Sequence, residues 1–243
     1  MCTVTFLPYK EKVFITSNRD EKHWRSPAIP PDSYDFSTGR IFFPKDGDAG
    51  GTWFAVHENG QVVVLLNGAF RFHLSQPPYR KSRGVIVLEL VQTASPFDSF
   101  RSVNLENIEP FTLVLWERDQ LFECRWDGEK KHAVMLDKSI PHIWSSATLY
   151  DEKIAAERKA WFTAWLQGQS SFSQNDLFHF HRFAGHGDPA NGLMMNRDGK
   201  VFTVSITGVE ISPALARLQY FDAMQNDFYL REINLQKELV VKS

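Results

Sequence analysis

The sequence predicts an α+β chain, with antiparallel sheets packed between helices, and three observations point there. Short apolar or alternating runs recur in pairs joined by turn residues. Segments of helical length are inserted between those hairpins. No internal repeat, low-complexity tract or linker divides the chain, so a single domain spanning 1–243 is expected.

Each element has a local reason. "CTVTFLP" and "VFITSN", rich in β-branched and aromatic residues, flank the turn Tyr9–Lys12. "TWFAVHE" and "QVVVLLN" flank Asn59-Gly60, a hairpin dipeptide. "FTLVLWE" and "LFECRWD" flank Arg118–Gln120, and "GLMMN" and "KVFTVSIT" flank "RDG"; shorter strands fall at 132–136 and 141–147. The apolar run 82–94 has the length of a buried helix and stops before Ser95-Pro96. In 151–169, acids open the segment, Ile154, Trp161 and Trp165 share one stripe, and Gly168 ends it. A third, shorter helix is predicted over 212–225, with Ser212 as N-cap and Pro213 at the first helical position. The Pro/Ser-rich stretch 26–39 reads as a long loop.

Composition excludes several classes of function. Of 243 residues 43% are hydrophobic and 23% charged, with net charge −2 and the two signs interspersed, so nothing calls for nucleic acid or an anionic membrane. Twenty Phe and seven Trp predict a large aromatic core. No apolar run approaches a membrane span, and Lys10, Glu11 and Lys12 interrupt any signal-peptide core, which makes a cytoplasmic location the expectation. A reducing compartment argues against pairing Cys2 with Cys124; the latter alternates with Phe122 and Trp126 and reads as core.

The candidate chemistry begins at Cys2. Removal of Met1, favoured by a small second residue, would give Cys2 both a thiol and a free α-amine. An α-amine has a pKa of roughly 7.7–8.0 and can serve as base to its own thiol. A hairpin centred near residues 9–11 pairs residues whose numbers sum to about 20–22, which sets Cys2 opposite or diagonal to Asn18–Asp20. Arg19 would lower the thiol pKa or attract a carboxylate or carbonyl, and Asp20 would hold the α-ammonium. The tripeptide Asn-Arg-Asp recurs at 196–198 without a neighbouring cysteine and there reads as a turn. Gly50-Gly51 permits close backbone approach, and Trp53 is either core or the wall of a substrate pocket. "SRG" at 82–84 reads as a helix start, with anion binding by Arg83 as the alternative. His179, His181, His186 and Asp188 are either loop and strand residues or, if 178–181 is a strand that puts both rings on one face, a metal site.

"MCTVTF", "SNRDE", "GGTWFAV", "VVVLLNGAF" and "SRG" occur in an order that resembles the NRDE family, also called the transport and Golgi organisation family. Through it the chain is similar to the penicillin V acylase and bile salt hydrolase group. The resemblance implies a four-layer αββα N-terminal nucleophile hydrolase fold and a cysteine amidohydrolase acting on a linear amide or related acyl bond, with no metal or cofactor. It implies Asp20 as the carboxylate of the site and Arg19, one or two places off the group's Arg-x-x-Asp spacing, as its cation. Asn67 matches the oxyanion asparagine, and Ser145 or Ser146 stands where the group has a second Asn. Asn18 and Trp53 are the substrate-side candidates. The family also implies an alternative: a non-catalytic carrier of an apolar ligand such as haem or lipid.

Overall fold

The computed structural model describes residues 3–236. β1 (Thr3–Tyr9) and β2 (Lys12–Lys22) form the expected first hairpin: Thr3 faces Asn18 and Tyr9 faces Lys12, inside the predicted register window. β3 (Ile29–Phe36), β4 (Gly39–Lys45), β5 (Phe54–His57) and β6 (Val62–Asn67) follow, then the helices α1 (Arg83–Val91) and α2 (Pro96–Ser102). β7 (Phe111–Glu117), β8 (Gln120–Trp126), β9 (Lys131–Leu136) and β10 (His142–Ser145) precede α3 (Glu152–Gln167) and α4 (Gln174–Phe183). β11 (Asn196–Arg197), β12 (Val201–Ile211), β13 (Leu215–Asp222) and β14 (Asp227–Asn234) complete the described chain.

These strands form two antiparallel sheets. One runs β10-β1-β2-β12-β13-β14 with β11 beside β12, and the other is the meander β3 to β9. Val4, Phe6, Ile15 and Val209 of the first sheet are buried in one core with Val62, Val64, Leu113 and Trp116 of the second. Burying each such side chain contributes about 1.5–3 kcal/mol, which is what holds the sheets face to face. Helices α3 and α4 cover the outer face of the first sheet, and α1 and α2 that of the second. The layering is helix, sheet, sheet, helix.

The helix starts follow their sequence signals. Ser82 caps α1 and Asp151 caps α3, each side chain accepting an N–H three residues on; Ser173 and Asp176 make a reciprocal capping box on α4. Within α3 the most buried residues are Arg158 and Phe162, while Trp161 and Trp165 pack half-buried beside them. Cys124 is core, as expected, and burial pushes its thiol pKa up.

Three expectations are corrected. The segment 212–225 is not a helix: Ser212 and Leu215 close a tight turn, and β13 buries Ala216, Leu218 and Tyr220 at alternate positions while pairing with β12. A period-2 apolar pattern beside an open strand outweighs a local cap signal. The stretch 26–39 is not all loop, since β3 pairs with β4 through a register shift between Ile29 and Asp32. Pro30 and Pro31 fall in that shift, and the strand lies at the sheet edge, where missing N–H donors are tolerated. Finally, His179 and His181 stand on α4 rather than on a strand, and at helical pitch residues two apart do not share a face.

Candidate active site

β2 ends in polar residues because its last turns leave the closed core and enter the wall of a cavity of about 730 Å³. Arg19, Asp20, Trp53 and Asn67 all line it, together with Asp46, Arg83 and Glu109. Four of the residues singled out from the sequence therefore share one space. Its other walls come from 46–53, from 72–79 and from the N-terminal turn of α1. The first and last of these segments meet at Gly51, where a Cβ would lie 2.4 Å from the Gly84 carbonyl carbon, so only glycine allows this backbone approach.

Strand alternation then splits the polar residues between two faces. Arg19 is 3% exposed and lies with its guanidinium 4.3 Å from the Trp53 ring centroid. It donates to Asp46 at 2.8 Å and to Glu21 at 3.3 Å. Asp46 also accepts both Arg25 hydrogen bonds, at 2.7 Å, and the Ala49 amide. Burial alone would raise the Asp46 carboxyl, but the Ala49 amide and the charges of Arg19 and Arg25 outweigh it and hold the pKa below its ordinary value. Trp53 is core, as one of its two readings had it, donating from Nε1 to Thr207 at 3.3 Å, and it also lines the cavity as the platform under Arg19. Arg83 opens α1 and also reaches the cavity, where it pairs with Glu109 at 3.0 Å.

On the other face, Asp20 accepts the Tyr150 hydroxyl at 2.8 Å and the Thr203 hydroxyl at 2.5 Å. Asn18 is fully buried outside the cavity. Its amide donates to the carbonyls of His181 at 3.1 Å and Leu193 at 2.9 Å, and its oxygen accepts the His181 Nδ1 proton. Burial, with Arg158 adding to it, depresses the His181 pKa to about 3, so the ring is neutral and, with its proton on Nδ1, Nε2 accepts the Thr5 hydroxyl at 2.8 Å. Asn18 thus ties β2 to α4.

Asn67 ends β6 and lines the cavity, while its carbonyl accepts the Ser146 hydroxyl at 2.9 Å. Ser146 also contacts Thr148 and so joins the ends of β6 and β10. Ser145 pairs with Thr3 across β1 and β10 and lies outside the cavity lining. Cys2 lies outside the described residues. His181 is core, the His179 ring packs tilted against Phe183 with centroids 4.6 Å apart, and among the described residues no three His, Cys, Asp or Glu side chains are grouped to hold a metal ion.

Sequence reasoning missed Asp46, Tyr150 and Arg158. Arg158 of α3 is 1% exposed; it donates to the carbonyls of Asn191 and Gly192 and to the Thr3 hydroxyl, and lies 3.5 Å from the Tyr150 ring centroid. Its position on the stripe with Ile154, Trp161 and Trp165 is the one signal that could have marked it as inward-facing.

Four layers in the order αββα, with the first hairpin at the centre of one sheet, define the N-terminal nucleophile hydrolase fold. The chain matches the family model Transport and Golgi organisation 2 over residues 1–184 and belongs to that family. Among solved structures it is similar to a Caenorhabditis elegans N-acylethanolamine-hydrolyzing acid amidase ortholog, with TM-score 0.57 and 10% identity, over 85% of this chain and 92% of the other. It is also similar to a variant of the conjugated bile acid hydrolase from Clostridium perfringens, with TM-score 0.54 and 10% identity, over 98% of this chain and 100% of the other. At that identity the likeness is one of fold. No curated protein matches the chain. Among the described residues no helix is long and apolar enough to cross a membrane.

Proposed function

We propose that the chain is a cysteine amidohydrolase that cleaves a linear amide or related acyl bond of a small molecule, with Cys2 as nucleophile after loss of Met1. The observation that carries this reading is the convergence of Arg19, Asp20 and Asn67 on one cavity, at the end of the hairpin in which Thr3, the residue bonded to Cys2, faces Asn18. In this reading the α-amine of Cys2 takes the thiol proton and the thiolate attacks the acyl carbon. The carbonyl electron pair moves to oxygen, where the Asn67 amide donates to it. Asp20 holds the α-ammonium, which returns its proton to the departing amine. Water, deprotonated by the α-amine, then hydrolyses the thioester and frees the thiol. Arg19, fixed on Trp53, supplies positive charge at the cavity wall. A cytoplasmic location belongs to the same proposal.

Intact-mass measurement, followed by turnover of a panel of acyl amides, tests it. The wild type should lack Met1, and Cys2→Ala should lower turnover by about 10³-fold or more. Retained Met1, or undiminished turnover by Cys2→Ala, would sink the reading. A second reading, a carrier of an apolar ligand such as haem or lipid, is favoured by Trp24, Phe72 and Leu74, which line the cavity yet are 64%, 66% and 73% exposed. Undiminished haem or lipid binding by a wild-type protein that turns over no amide would decide for the carrier.

A further inference from the structure

We propose that Tyr150 and Arg158 are positioning residues for the nucleophile, acting through Asp20 and through the head of β1. This rests on the reading of Cys2 as the reactive residue. The Tyr150 hydroxyl donates to Asp20 at 2.8 Å, and the Tyr150 ring lies under two cations, with the Arg158 guanidinium carbon 3.5 Å and that of Arg197 5.2 Å from its centroid. Arg158 in turn donates to Thr3 Oγ1, so one side chain holds both the residue bonded to Cys2 and the ring that orients Asp20. It also donates to the carbonyls of Asn191 at 2.9 Å and Gly192 at 2.9 Å, anchoring the loop that follows α4. A buried arginine satisfied by carbonyls, a hydroxyl and a ring face is a rigid fitting, since its planar fork fixes several donors at once. None of its contacts needs substrate. The unit therefore sets the placement of Asp20 and of the strand head before any ligand arrives.

A double-mutant cycle separates this role from general support of the fold. The probe is iodoacetamide, with alkylation of Cys2 followed by peptide mass and the fully buried Cys124 as internal control. Tyr150→Phe keeps the ring beneath Arg158 and removes only the hydroxyl. It should slow Cys2 alkylation about tenfold, the scale of one hydrogen bond to a charged acceptor. Asp20→Asn should slow it at least as much, and adding Tyr150→Phe to Asp20→Asn should change it no further. Independent, multiplying effects in the double variant would overturn the inference, as would wild-type alkylation by Tyr150→Phe. Should Tyr150→Phe fail to fold, Arg158→Lys replaces it in the same cycle; because Arg158 also holds Thr3, its effect should shrink without vanishing in the Asp20→Asn background, and an undiminished effect there would overturn the link through Asp20. The two proposals fail separately. Intact coupling in a wild-type protein that turns over no amide overturns the hydrolase reading alone, and amide turnover without coupling overturns the positioning role alone.

Discussion

Asn-Arg-Asp occurs twice, and both copies lie along β12. Glu21, one residue beyond the first copy, and Asn196 of the second both pair with Phe202. The first copy belongs to an interior strand of the sheet, so all three of its residues are buried and each must find partners at a distance. The second ends a two-residue strand. Asn196 is exposed and accepts the Gly199 amide at 2.7 Å, and Asp198 and Gly199 both take positive φ, as an Asp-Gly hairpin turn requires. The arginines differ in the same way. Both lie over an aromatic ring, but Arg19 is held by two carboxylates whereas Arg197 donates to the carbonyls of Leu149 and Ala190. Identical residues become a cavity wall in one place and a turn in the other, because burial decides whether a polar side chain answers to water or to the rest of the chain.

That contrast can be broken by substitution. Asn18→Leu should be the most damaging change, since it orphans the His181 Nδ1 proton, removes the side-chain donor to the His181 carbonyl and leaves the Leu193 carbonyl only the Thr203 hydroxyl; a loss of about 3–5 kcal/mol in urea unfolding is expected. A loss below 1 kcal/mol would mean that this tie between β2 and α4 carries little.

Acid should act through the same tie. His181 titrates near 3 in the fold against an ordinary 6.5, so the unfolded chain binds the proton more readily. The stability is fully present above about 6.5 and is lost as pH falls toward 3, by up to about 1.4 kcal/mol per pH unit. His57, also depressed, chiefly by burial, adds to the same slope. Urea midpoints across that window should fall with pH, and His181→Gln should flatten the fall.

The smallest effects belong to the second copy. Asn196→Ala should cost about 1 kcal/mol or less, and Asp198→Gly, at φ +54°, should be neutral to slightly stabilising. A loss comparable with Asn18→Leu at either position would erase the distinction drawn here.

Much of the fold was legible because its signals are local. The first hairpin's register followed from a turn near residues 9–11, and α1 and α3 began where Ser82 and Asp151 cap them. Asp20, Arg19, Asn67 and Trp53 were legible as a group through the order of motifs along the chain, and the cavity gathers them. Asn18 stands apart, turned by strand alternation toward α4. What could not be read locally was misread: the Ser-Pro cap signal at 212 competes with a strand pattern that matters only once β12 lies alongside.

The sequence by itself determined the pairing of near neighbours, the starts of α1 and α3, the antiparallel α+β class and the family resemblance, because turns, caps and periodicity act over a few residues. Only the tertiary structure decided which Asn-Arg-Asp faces a cavity, which carboxylate holds Arg19 and which hydroxyl reaches Asp20. Tyr150 meets Asp20 across 130 residues and Arg158 meets Thr3 across 155. Partners that distant are chosen by which faces the two sheets bury against each other and against their helices, and no local pattern along the chain records that choice.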